Sequence, residues 1–454
     1  MDSNYLEEVR RQYEEYPYPE RNPEVEKGTL LSTKSSSLDC INHYCFEGNL
    51  NHTENFRVLI AGGGTGDCTI YLAEQLRNTN AEVVYLDMST ASMAVAQERA
   101  KVRQLTNIQW VHDSILNLQS LNLGQFDYIT CTGVLHHLSS PEAGLAALKS
   151  VLKKNGSIFL MLYGTYGRTA VYQMQDLMKR VNQTTEDIRA KISNTKKVLN
   201  CLPDTNWFKF NKQIFNLDLA SDIGIYDLLL HSQDRSYTTT ELYEFVESQG
   251  LVLNTMFELE SALGRMIFDP KTFLNDPQLI QEVMSLPKRE QEAISELLYG
   301  QRIKHCCYIS NASNKEAQFT NKDLVPIHSI TSQGAVEFED LKKQFNGNGE
   351  KIRINIAVEI FRRECTKDLF NAIDGKKSIG EIVVEVSQLN PNESLENIYS
   401  QFYKIYNALN NTGLMFLKSK NTPEYPQMVE MQSRVVSIYG RDECQKIYNK
   451  YFKK

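Results

Sequence analysis

Apolar positions along this 454-residue chain fall into short runs separated by longer stretches of helical spacing. Short apolar runs bounded by turn residues read as buried strands, and apolar residues recurring every three or four positions read as amphipathic helices. On that basis strands are expected at Arg57–Ala61, Glu82–Asp87, Ile108–Val111, Phe126–Thr132 and Ser157–Tyr163. Helices are expected between them at Thr69–Arg77, Thr90–Arg103 and Pro141–Leu152. Successive strand–helix units imply a parallel sheet with right-handed crossovers. From Arg168 to Ile225 the pattern turns long, polar and helical, as an insertion sitting over the sheet would. Leu251–Phe257 and His305–Asn311, separated by the helical stretch Pro277–Leu298, complete an expected set of seven strands.

The ends differ from this middle. Tyr5–Tyr16 reads as a charged helix stopped by Pro17 and Pro19, so residues 1–30 are expected to be a helix followed by the extended arm Tyr16-Pro17-Tyr18-Pro19. The α/β domain then occupies 31–313, with its helical insertion at 168–225. Residues 314–350 are rich in Asn, Ser, Gln and Lys, have weak periodicity and are expected to be a linker. Beyond it, helices at Cys365–Ile373, Ile379–Ser387 and Glu396–Asn410 and a strand at Leu414–Leu417 suggest a winged-helix-like α+β domain over 351–454.

Composition narrows the function classes. A net charge of −7 leaves little basic surface for sequence-independent nucleic-acid binding, and Glu381, Glu385, Glu393 and Glu396 weaken that role for the C-terminal domain, which is expected to dock protein or to be structural. The nine cysteines form no CxxC pair, so neither a zinc site nor a disulfide framework is expected. No run approaches the roughly 18 apolar residues of a membrane span, and the N-terminus is not signal-like, so the protein is expected in the cytoplasm with no membrane partner.

The sharpest chemical signal is Val58-Leu59-Ile60-Ala61-Gly62-Gly63-Gly64-Thr65-Gly66-Asp67, an apolar strand opening through glycines into a helix. Glycines let the backbone turn tightly and approach a nucleotide-like ligand, although such a turn also serves strand–helix packing. The GxGxG spacing leans away from dinucleotides. Asp87 ends the second strand and can accept from both ribose hydroxyls, or cap the helix that starts near Ser89. Asp113-Ser114 ends the third strand, where a carboxylate can accept from an exocyclic adenine amine or close an Asx turn.

With Phe126-Asp127-Tyr128-Ile129-Thr130-Cys131-Thr132-Gly133-Val134-Leu135-His136-His137-Leu138 and the turn at Leu152–Ser157, these motifs resemble class I methyltransferases that use S-adenosylmethionine (SAM). The resemblance covers about residues 31–313 and implies a Rossmann-like seven-stranded sheet. It implies SAM held by Ala61, Gly62, Gly64, Thr65, Gly66, Asp87, Met88, Asp113, Ser114, Gly133 and Val134. One departure is Ile60, where many relatives carry an acid, so the contact to the methionine amine is missing or supplied differently.

Tyr16-Pro17-Tyr18-Pro19, Tyr163-Gly164-x-x-Gly167-Arg168-x-x-x-Tyr172 and Leu229–Thr238 are further similar to a bacterial subgroup that includes rickettsial-type protein lysine methyltransferases. In that subgroup the acceptor is a lysine amine on a protein, which here implies a protein substrate as partner, with a homodimer left open. Tyr16, Tyr18, His136, Tyr163, Tyr172, His231 and Tyr237 are the residues expected to line the acceptor site, His136 as base or orienting group. Asp234 and Arg235 are expected to pair and hold their loop. A small-molecule O- or N-methyltransferase with the insertion as a lid, and a non-catalytic SAM-binding regulator, are the competing readings.

Overall fold

The computed structural model describes residues 7–426 apart from 217, 232, 259–262, 314, 355–358 and 362, so Tyr5, Ser232 and the stretch 427–454 lie outside the described residues. Strands β1 (Arg57–Ala61), β2 (Glu82–Asp87), β3 (Ile108–His112), β4 (Phe126–Thr132) and β5 (Leu152–Gly164) lie in the order β3-β2-β1-β4-β5, all parallel. Beyond the two-residue β6 (Ser236–Tyr237), β7 (Val252–Met256) and β8 (Lys304–Ser310) extend the sheet, β8 antiparallel between β5 and β7. The two-residue β6 flanks the end of β5 through Tyr163↔Ser236 and Gly164↔Tyr237, making eight strands rather than the seven expected. Strand five begins at Leu152, five residues earlier than the apolar run suggests, because Lys153–Gly156 hold the extended backbone with polar side chains.

Side-chain alternation sends each strand into two cores. Leu59, Ala61, Val84, Leu86, Ile129 and Leu160 face one side, Val58, Ile60, Val83, Tyr128 and Phe159 the other. Helices pack on both faces, as a doubly wound sheet requires. After α1 (Glu7–Glu15) and α2 (Leu38–Cys45), the crossovers are α3 (Asp67–Gln75), α4 (Thr90–Val102) and α5 (Pro141–Ser150). The insertion is helical as expected: α6 (Thr169–Val181), α7 (Ile188–Cys201), α8 (Trp207–Asn211) and α9 (Asp222–Leu229). Three more helices follow, α10 (Thr239–Ser248), α11 (Pro277–Met284) and α12 (Lys288–Tyr299).

The stretch expected to be a linker is folded. It carries β9 (Val325–His328) and α13 (Ser332–Asn346), the latter burying Phe338, Leu341 and Phe345. A short hairpin, β10 (Lys351–Arg353) with β11 (Glu359–Phe361), precedes α14 (Glu364–Ala372), α15 (Ile379–Leu389), α16 (Leu395–Asn411) and β12 (Met415–Lys418). The helices and strand expected for a winged-helix-like unit therefore form, but β12 pairs with β9 rather than with the hairpin. The β9–β12 ribbon is buried on both faces: Met415 and Leu417 pack into the C-terminal helices, while Phe416, Val325 and Ile327 pack with Leu38, Ile41 and Tyr44 of α2. Arg265 donates across the same junction to Glu316 (3.0 Å), Tyr44 (3.2 Å) and Asn410 (3.0 Å). Among the described residues, no helix is long and apolar enough to cross a membrane.

Candidate functional site

Strand order reverses between β1 and β4, and in open α/β sheets the crevice at such a point, beyond the carboxyl ends of the strands, is where ligands sit. A cavity of about 750 Å³ occupies it here, walled by the glycine loop, the strand ends, the N-terminal arm and the helical insertion.

Half of the wall is the nucleotide side. Gly62, Gly63 and Gly64 line it, with Asp87, Met88, Asp113, Ser114, Gly133 and Val134 from the ends of β2, β3 and β4. Gly64 has φ +50°, and a Cβ there would come within 2.9 Å of the Tyr18 carbonyl oxygen, so loop and arm meet only because the residue is glycine. The Asp87 carboxylate accepts from the Gly64 N–H (2.7 Å) and the Ser89 N–H (2.8 Å), so it braces the glycine loop and holds Ser89, the residue that caps α4. Burial pushes the Asp87 carboxyl up, against these bonds. Asp113 accepts from the Ser114 N–H and Asn117 Nδ2, both at 2.7 Å, which fixes its carboxylate at the end of β3 while the residue lines the cavity.

Three residues expected at the cofactor stand elsewhere. Ala61 is a buried strand end in the core. Thr65 is buried and donates its hydroxyl to Pro19 O (2.7 Å), which ties down the arm. Gly66 is needed for packing, since a Cβ there would lie 2.8 Å from that of Ala96 on α4. Ile60 does line the cavity, so no carboxylate occurs at that position.

The other half is built by the arm and insertion. Tyr18 and Tyr163 line this part of the cavity, joined by Tyr13, His137, Arg168, Asp218 and Asp227, which the sequence reading missed. Tyr13 donates to Asp227 Oδ1 (3.2 Å) and Tyr18 to Asp218 Oδ1 (3.3 Å). Ser89 donates to the Tyr13 carbonyl (2.9 Å), and Glu14 accepts from Thr90 N and Ala91 N at the start of α4. The arm is thereby fixed across both halves. Burial and the neighbouring Asp218 hold the Asp227 carboxyl at about 7, with Arg168 opposing, and burial also raises Asp218. The guanidinium of Arg168 lies 3.6 Å over the Tyr163 ring and pairs with Asp234 Oδ2 (3.5 Å). Asp234 thus pairs with Arg168, and Arg235 with Glu142 (3.2 Å), so the expected Asp234–Arg235 pair does not form.

The remaining acceptor candidates sit behind this wall. His136 is fully buried, stacked on Tyr163 at 3.9 Å, while its neighbour His137 faces the cavity. Adjacent residues on one tight turn point different ways, so only one of the pair reaches the site. His231 stacks on His137 at 3.9 Å and supports it. Burial pushes all three imidazoles down, which keeps them neutral near neutral pH. Tyr16 stacks on Tyr226 (5.6 Å) beside the insertion helices, and Tyr237 belongs to the sheet core. Tyr172 stands 5.8 Å from the Arg168 guanidinium, on the far side of the cavity wall. Asp227 carried one legible sign: it is the lone charge within the apolar run Ile223–Leu230.

The donor set suits SAM. Carboxylates end the second and third strands and glycines open the backbone between them, while a Cβ at Gly62 would meet Val134 at 2.3 Å. No group of His, Cys, Asp and Glu suited to a metal ion occurs among the described residues.

Residues 59–158 match the methyltransferase-domain family. An uncharacterised protein of Synechococcus sp. is 31% identical over 245 residues, 53% of this chain and 57% of that protein. The ubiquinone biosynthesis O-methyltransferase of Acinetobacter baylyi is 30% identical over 103 residues, 23% of this chain and 42% of that protein. The chain thus spans about half the length of the curated relatives it matches. PKMT2 from Rickettsia typhi, solved in complex with AdoHcy, has the same fold with a TM-score of 0.61 at 15% identity, over 87% of this chain and 77% of that one.

Proposed function

On the premise that this chain carries a class I SAM-dependent methyltransferase domain and resembles PKMT2 of Rickettsia typhi in fold, we propose that the protein transfers a methyl group to an amine, the side chain of a lysine on a protein substrate. Bound at the glycine loop, SAM supplies a sulfonium-activated methyl group. The protein's part is to bind, orient and desolvate the acceptor.

One observation carries the reading. The cavity wall facing the nucleotide side holds two carboxylates, the half-buried Asp218 and the buried Asp227, framed by Tyr13, Tyr18 and Tyr163. A neutral phenol or alcohol acceptor gains at most a hydrogen bond from these carboxylates, whereas a cationic amine gains ion pairing and ring faces as well. Gly62–Gly64, Asp87 and Asp113 would hold the cofactor, and Met88, Gly133 and Val134 would shape its pocket. A protein acceptor also accounts for the folded C-terminal unit, since macromolecular substrates need docking surface.

The test is to incubate the purified protein and methyl-labelled SAM with protein and metabolite fractions of a lysate separately. Label should enter the protein fraction and appear as N-methyl-lysine after hydrolysis. Label confined to metabolites would reassign the acceptor to a small molecule.

A further inference from the structure

An amine in water near neutral pH is a protonated ammonium, which has no lone pair with which to attack a methyl group. A SAM-dependent enzyme that takes such an acceptor must therefore give the proton somewhere to go. The cavity offers few choices. His137 donates from Nδ1 to the Gln233 carbonyl (2.9 Å), which leaves the lone pair on Nε2, but its ring is stacked on His231 and burial pushes this imidazole down to about 4, so it holds a proton more weakly than a carboxyl that burial raises. The tyrosines, with pKa values driven upward by burial, are protonated and cannot accept. That leaves Asp218 and Asp227.

The two carboxylates are not equivalent. Burial raises the Asp218 carboxyl against a hydrogen bond from Tyr18 and the nearby Arg168 and Lys304 cations, and the residue is only half-buried. Asp227 sits one helix further in, on α9, with Tyr13 donating to one oxygen. The charged and titratable groups around it are Asp218 and Asp234, which raise it, Arg168, which lowers it, and the phenols of Tyr13, Tyr18 and Tyr163. Its side chain is buried yet on the cavity wall.

We propose that Asp227 takes the proton from the acceptor ammonium, and that Tyr13 of α1 holds its carboxylate in place to do so. The proposal rests on the amine reading above. In the step an ammonium N–H bond breaks and an O–H bond forms on Asp227, with no change of oxidation state. The amine regains its positive charge on methylation, and Asp227 returns its proton to solvent between turnovers. A carboxyl held at about 7 is matched to this duty, because it binds the proton well enough to take it and loosely enough to release it. The placement of α1 matters for a physical reason: Tyr13 reaches Asp227 only when Ser89 and Glu14 pin that helix to the start of α4, next to the ribose carboxylate Asp87.

Sinefungin, a cofactor analogue with an amine in place of the transferable methyl, probes this without knowledge of the acceptor. Calorimetry in buffers of different ionisation heat measures its affinity, that of S-adenosylhomocysteine, and the protons released. The intact protein should prefer sinefungin by at least about tenfold. It should release close to one proton on binding at about pH 6, where Asp227 must ionise to pair with the ammonium, and close to none at about pH 8. Asp227→Asn should bind S-adenosylhomocysteine normally but lose both the preference and the proton release, while Asp218→Asn should keep the preference and move the midpoint of proton release to lower pH, since Asp218 helps to hold the Asp227 carboxyl up. No preference in the intact protein would overturn the amine reading itself. A preference and proton release that survive Asp227→Asn, or a preference that vanishes in Asp218→Asn alone, would overturn the assignment and leave the amine reading standing. Should Asp227→Asn fail to bind S-adenosylhomocysteine, Tyr13→Phe decides: losing a bond that stabilises the carboxylate should move the midpoint of proton release upward, and an unmoved midpoint would refute the role of Tyr13 and Asp227 together.

Discussion

Replacing Asp87 by alanine separates the cofactor role of this residue from its structural one. In the folded chain its two oxygens accept from Gly64 N at 2.7 Å and Ser89 N at 2.8 Å, and the residue lines the cavity. Two ribose hydroxyls bound there are charge-assisted hydrogen bonds of about 1.5–3 kcal/mol each, so their loss should weaken SAM binding by roughly two to four orders of magnitude. The structural loss is smaller. Two backbone donors lose their acceptor, a cost of about 1–3 kcal/mol each if they stay dry, but the cavity admits water, and removing a carboxylate whose ionised form is penalised by burial returns part of that cost. The variant should therefore melt only modestly lower without ligand, while the upward shift in Tm produced by saturating S-adenosylhomocysteine in the wild type should disappear. Calorimetry gives the affinity directly, and circular dichroism shows whether the fold survives. A folded Asp87→Ala protein with unchanged SAM affinity would refute the placement of the ribose at the end of β2, and with it the cofactor site.

Three further perturbations test the surrounding frame. Gly64→Val should abolish SAM binding in a protein that still folds, because the new side chain at φ +50° collides with the Tyr18 carbonyl and fills the loop's approach to the ligand; normal calorimetric binding would mean the turn serves packing alone. Deleting residues 1–19 removes Tyr13, Tyr18 and the Glu14 cap of α4, and should leave a folded protein that binds SAM but methylates lysine-containing proteins poorly; a full rate would make the arm a surface strap. Glu316→Gln should cost about 1.5–3 kcal/mol in thermal or urea unfolding, because it takes the charge partner from the half-buried Arg265 at the junction with the C-terminal unit while Tyr44 and Asn410 still accept from it. Although burial pushes the Glu316 carboxyl up, Arg265 and His43 outweigh it and hold it well below the usual range. Its contribution is thus present above about pH 4.3 and lost as pH falls, so the gap between wild type and variant should narrow in acid; a gap independent of pH would refute the ion pair.

What could be read in advance was whatever local spacing encodes. The parallel sheet follows from apolar runs interleaved with helical periods, and the nucleotide side from glycines and carboxylates placed at strand ends, where chain geometry alone brings Gly62, Asp87 and Asp113 to one edge. The stretch 314–350 defeated the same method for a definite reason. β9 is buried between α2 and the C-terminal helices on both faces and contains Pro326, so it shows neither alternation nor a long apolar run, and its partner β12 lies almost ninety residues on. The acceptor side was less legible still, because no local rule distinguishes a tyrosine that faces a cavity from one that fills a core. Tyr18 and Tyr237 both sit next to polar, turn-forming sequence, yet one donates to Asp218 and the other is buried behind β5. Only tertiary folding brings Tyr13 within reach of Asp227, 214 residues away. That separation is itself informative about the chemistry. A site assembled from the arm and the insertion, on a nucleotide half fixed by adjacent strand ends, allows the acceptor to change by altering two peripheral segments while the cofactor frame stays as it is.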